Sequence, residues 1–225
     1  MPLIFLDRSA LAFHHLAAAA TFAKRCRELE RTCGEEPSPE VVLEHRSYVL
    51  GAVSSSVGYL ESCVNEVFGN CAEEYKMDLV LGSRQTEMLG KVWRIHGCSR
   101  LSTLAKYALA LTVLSKKPIE AADRVFQSTS LLIRLRNWLI HFEPEWAQAL
   151  DEDEEPRESH RLAKTLKGKF ALNPFRKSCE FEFPDRYLSA GCAEWAGDTA
   201  LDFTDEFFRR LGAKPKYRSN ISREA

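Results

Sequence analysis

Apolar residues recur along this chain at three- and four-residue spacing, the mark of helices that bury one face. The clearest stripe reads Val49, Ala52, Val53, Ser56, Leu60, Cys63, Val64, Val67, Phe68 and Cys71. Ser38 followed by Pro39 and Glu40 starts that helix with a capping hydroxyl and a proline in the first turn. It is expected to run to about residue 75, with a possible break at Gly69-Asn70. Beside the stripe lie Gly51, Ser54, Ser55 and Gly58, small residues that let a neighbouring helix approach closely. Glu61 and Asn65 continue this seam. The same periodicity predicts helices over residues 5–31, 83–95, 101–114, 119–142, 159–166 and 186–211. Gly34, Gly97 and Gly212 punctuate them, as do the prolines at 37, 118, 144 and 184. Residues 178–183 alternate polar and apolar and suggest a short extended piece. The pattern is that of an all-α bundle with five to six main helices.

The segment 119–142 is apolar around most of its circumference. At about 100° per residue, Val125, Phe126, Thr129, Leu132, Ile133 and Ile140 share one arc, widened by Leu135, Trp138, Leu139 and Phe142. Gln127, Ser130, Arg134, Asn137 and His141 fall on the opposite narrow strip. Arg136 does not join them and lies on the ridge Leu132–Arg136–Ile140. A guanidinium on an apolar ridge needs a partner or a ligand. Glu61, on the small-residue seam, is the expected partner. Lys106, inside another apolar helix, is expected to reach the surface along its methylene stem. His14 and His15 point in different directions on their helix and make a poor metal pair. His96 stands beside a glycine with no evident partner.

A chain of 225 residues with a formal net charge of −1 suits a single helical domain over residues 1–212. Within it, residues 151–185 form an acidic and then basic insertion, and residues 213–225 a polar tail. The charge argues against a protein coated in positive charge, but the run Arg157, Arg161, Lys164, Lys167, Lys169, Arg176 and Lys177 allows a local basic surface. Seven cysteines without a C-x-x-C pair give neither a zinc motif nor a disulfide framework, and buried free thiols are expected. No metal or cofactor is implied. The apolar start of the chain is broken at once by Asp7 and Arg8, and no uncharged apolar run reaches membrane-spanning length. A cytoplasmic protein is the expectation.

Arg136-Asn137-Trp138-Leu139-Ile140-His141 has the form arginine, polar residue, three residues, histidine. Late in a helix of an all-helical chain, it resembles the R-x(4–6)-H motif of the HEPN superfamily (higher eukaryotes and prokaryotes nucleotide-binding domains). Tyr59-Leu60-Glu61-Ser62-Cys63-Val64-Asn65-Glu66 resembles the second-helix region of several such families. The resemblance implies a homodimeric, metal-independent endoribonuclease, in a toxin–antitoxin or phage-defence setting, with RNA as substrate and an antitoxin as a possible partner. It implies that Arg136 contacts the scissile phosphate and that His141 acts as general acid or base, chemistry suited to an imidazole near neutrality. Asn137 would orient the imidazole or bind phosphate, with Arg134 in support. The alternative is a catalytically silent HEPN-like module that binds protein or nucleotide, with Arg136 paired to Glu61 for stability.

Overall fold

The computed structural model describes residues 11–34, 36–73, 81–95, 97–142, 158–176 and 183–213. Among the described residues there are seven α-helices and no strand. They are α1 (Ala12–Thr32), α2 (Pro39–Ala72), α3 (Ser83–Trp93), α4 (Thr103–Val113), α5 (Arg124–Ile140), α6 (Glu158–Leu166) and α7 (Ala190–Leu211). The all-α expectation holds, with one helix more than the upper count of six. No described helix is long and apolar enough to cross a membrane. Residues 178–182 of the expected extended piece, the acidic run 151–156 and His96 lie outside the described residues.

Caps decide where the helices begin. Ser38 accepts the Val41 N–H at 3.5 Å and Pro39 opens α2, which runs unbroken through Gly69 to Ala72. Ser102 accepts the Ala105 N–H at 3.4 Å, so α4 starts at Thr103. Ser189 accepts the Cys192 N–H at 3.0 Å and moves the start of α7 from the expected 186 to Ala190. The Asn173 amide holds the preceding segment as a turn by donating to Asp185 O at 3.1 Å and Leu188 O at 2.9 Å. The start of α5 shifts most. Asp123 turns its carboxylate back to accept the Glu120 N–H at 2.9 Å, which makes 120–123 a turn and leaves Arg124 as the first helical residue. Gly212 takes the left-handed conformation, φ 81°, that ends α7.

α2 is the axis of the bundle, packed against α1, α3, α4, α5 and α7. Every residue of its predicted stripe is buried. Its small-residue seam receives α1: a Cβ on Gly51 would meet the Phe22 ring at 2.8 Å, and one on Gly58 the His15 ring at 2.9 Å. From the other side, Tyr107 of α4 meets Phe203 and Phe207 of α7 edge-on, with ring centroids at 5.0 and 4.7 Å. Its hydroxyl donates to Leu60 O at 2.8 Å. Full burial of such side chains contributes roughly 1.5–3 kcal/mol each. Cys26, Cys63, Cys71, Cys98 and Cys192 are buried free thiols, as expected, and Cys33 is half-buried. Burial pushes the Cys63 and Cys192 thiols up to about 12, which keeps them protonated and unreactive at neutral pH.

Candidate functional site

The C-terminal end of α5 carries Arg136, Asn137 and His141. The helix stops at Ile140, and His141 is its cap, with φ −101°, ψ 36° and its N–H on Asn137 O at 2.9 Å. Within the last turn of the helix, Trp138 packs against Phe142 and Phe183, with ring centroids at 5.1 and 4.8 Å. This anchors the helix end on the turn that leads toward α7. The predicted polar strip is confirmed: Gln127, Arg134, Asn137 and His141 are exposed and Ser130 is half-buried. The ridge through Arg136 is not uniformly buried. It rises from Leu132, fully buried, through Arg136, half-buried, to Ile140, which is 55% exposed. Phe142 is 51% exposed beside it. Arg136, Asn137 and His141 thus stand on one open helix end, flanked by two exposed apolar side chains.

Arg136 has no hydrogen-bond or ion-pair partner among the described residues. The expected pairing with Glu61 does not form. Glu61 faces Lys106 instead, with its Oε1 at 3.8 Å from Nζ, and remains 47% exposed. Asn65 accepts from the same Nζ at 2.9 Å. Lys106 also lies over the Trp93 ring at 5.9 Å from its centroid. Lys106 does not reach the surface; it is 2% exposed. The reason is its register. Lys106 shares a face with Tyr107, Ala110 and Leu111, the buried residues of α4, and α2 supplies two oxygens where that face meets it. Glu61 and Asn65 therefore form a built polar contact, but with a lysine on α4 rather than with the arginine on α5.

Arg134 is also committed elsewhere. Its Nη2 and Nε donate to Glu158 Oε1 at 2.6 and 3.1 Å, which ties the first residue of α6 to the exposed strip of α5. α6 turns Leu162 and Leu166 inward and leaves His160, Arg161, Lys164 and Lys167 exposed. Part of the predicted basic run is thereby fastened next to the candidate site.

Two further polar sites lie away from this end of α5. An open cleft of about 610 Å³ sits at the N-terminal end of the helix, lined among others by Arg27, Arg124, Lys169, Trp195, Asp198 and Asp202. Burial raises the Asp198 carboxyl above its ordinary value, aided by the charges of Asp202 and Glu194. The cleft takes Lys169 from the predicted basic run but none of Glu61, Asn65, Arg134, Arg136, Asn137 and His141. The second site joins α1, α2 and α7. His45 Nε2 lies 2.9 Å from Glu30 Oε1, which also accepts the Ala190 N–H at 2.6 Å. His45 was not singled out from the sequence. The signal was present: it lies four residues before Val49, one turn ahead of the α2 stripe.

The chain matches no family model, no curated protein and no solved structure.

Proposed function

We propose that the chain is a HEPN-type, metal-independent endoribonuclease acting as a cytoplasmic homodimer, with Arg136 and His141 as its catalytic pair. The observation that carries this reading is the unpartnered Arg136. A half-buried guanidinium with no protein partner among the described residues is poised for an external anion. The carboxylate that would have made it a structural ion pair is engaged by Lys106.

In this reading the RNA 2′-hydroxyl attacks the adjacent phosphorus while His141 takes its proton. The bond from phosphorus to the 5′-oxygen breaks, that oxygen takes a proton from water, and a 2′,3′-cyclic phosphate remains. Arg136 stabilises the charge that builds on the phosphate, and Asn137 binds phosphate or steadies the imidazole. A second copy docking on the exposed Ile140 and Phe142 would bring two such helix ends into one cleft. The exposed cations of α6 would hold the flanking backbone. A toxin or phage-defence role, with an antitoxin as partner, belongs to the same reading.

The test is RNA cleavage by the pure chain in EDTA. Arg136→Ala and His141→Ala should each lower the rate by at least about 100-fold, with unchanged circular dichroism. Undiminished cleavage by both variants overturns the assignment. A chain that cuts no RNA, and whose melting temperature falls sharply in Arg136→Ala, is the silent binding module instead.

A further inference from the structure

The junction of α1, α2 and α7 gathers three ligand types at one buried point. Cys26 and Glu30 are four residues apart on α1 and so face the same way. His45 comes from α2, held close by the glycine seam. The Cys26 sulfur, a Glu30 carboxylate oxygen and a His45 ring nitrogen all lie within 4.8 Å of one another. Cys26 is fully buried, and the His45 and Glu30 side chains are 2% and 7% exposed. We propose that these three side chains bind a single zinc ion that pins α1 to α2.

The chemistry of the donors selects the metal. A thiolate, an imidazole and a carboxylate are the ligand set of tetrahedral zinc, whereas calcium and magnesium take oxygen alone. Zinc bonds of about 2.0–2.3 Å place the ligand atoms of a tetrahedron roughly 3.3–3.7 Å apart, so small side-chain adjustments, with the 2.9 Å His45–Glu30 contact opening slightly, form the site. Helices that carry side chains at fixed spacing hold such a constellation more firmly than loops do. The hydrogen bonds already present fit a second shell. Glu30 Oε1 takes the Ala190 N–H, and Arg27 Nη1 lies 3.3 Å from Oε2. A purely structural His45–Glu30 pair accounts for those contacts without involving the Cys26 sulfur that lies beside them.

The Cys26 S–H bond breaks, its proton leaves to solvent and a sulfur–zinc bond forms. The His45 Nε2 contact to Glu30 gives way to a nitrogen–zinc bond, with the ring hydrogen carried on Nδ1. One proton is released per zinc. The site asks nothing of Arg136 or His141, so it stands or falls apart from the nuclease reading.

The experiment uses the whole chain, stripped with chelator and then titrated with zinc chloride or cobalt chloride alone. One zinc per chain should bind with release of one proton. Cobalt should give a thiolate charge-transfer band together with the intense visible bands of a tetrahedral site. Zinc should raise the melting temperature. Cys26→Ser, close in size to the native residue, should lose the charge-transfer band and at least tenfold in zinc affinity while matching the stripped wild type in circular dichroism. His45→Gln serves in its place should the serine variant fail to fold. Absence of stoichiometric zinc, a wild-type melting temperature indifferent to zinc, or a charge-transfer band that persists in both variants would each overturn the site.

Discussion

Lys106 and Arg136 are both cations set in apolar helices, and they meet opposite fates. Lys106 is fully buried beneath two oxygens of α2 and the face of Trp93. Arg136 is half-buried at a helix end and has no partner among the described residues. Their local sequences lead to the reverse expectation, a lysine that escapes and an arginine that pairs. An apolar face with one charge in it says that the charge needs company, but not where the neighbouring helix will end. α4 runs its lysine against α2 at Glu61 and Asn65, whereas α5 carries its arginine to the edge of the core. One cation is a structural element, and the other remains available.

The contrast is sharpest in stability. Lys106→Ala removes the cation, its packing against Trp93 and the donor to Asn65. It should cost about 3 kcal/mol in urea unfolding. Lys106→Met keeps the volume and should cost clearly less. If Lys106→Ala proves as stable as wild type, the two cations do not differ in kind.

Arg210 is an intermediate case. It donates to Glu206 at 2.6 Å, to Asp123 at 2.9 Å and to the Pro118 carbonyl, fastening α7 to the turn before α5. Hydrogen bonds from Arg209 and then Arg210 hold the Glu206 carboxyl down at about 2. The sign follows from linkage. An acid whose folded value is depressed adds stability that is complete above its unfolded value, about 4.3, and lost as pH falls through the folded value. Stability should therefore decline from about pH 4.3 toward pH 2, by about 1–2 kcal/mol from this group. Glu206→Gln should flatten that part of the profile and lower stability at neutral pH.

Arg136→Ala should change stability by less than about 1 kcal/mol, whatever it does to RNA. A larger loss would put Arg136 in the class of Lys106. Glu61→Gln should have the smallest effect, under about 0.5 kcal/mol. Its carboxylate is half exposed and sits at 3.8 Å, so solvent screens most of the attraction. Asn65 carries the shorter contact.

Much of the fold was legible because burial imposes a period. The α2 stripe from Val49 to Cys71 was readable residue by residue, and so was the close seam at Gly51 and Gly58. Helix starts were less so, because Asp123 and Ser189 set them through side-chain bonds to backbone N–H groups three residues away, which apolar periodicity does not report. At the candidate site, the exposed strip of Asn137 and His141 followed from the helix angle alone. The partners of Glu61, Arg134 and His45 did not. Each meets a side chain at least 15 residues away, and periodicity within one helix carries no information about contacts between helices.

The central position of α2 has a dynamic consequence. A 34-residue rod of about 50 Å, touched by five other helices, cannot leave the bundle without uncovering its buried stripe. The amide hydrogens of its middle turns should exchange with deuterium only when the entire bundle comes apart, so their rate reports the global free energy of opening. The short α6, joined to its neighbours over a much smaller area, should admit solvent well before then.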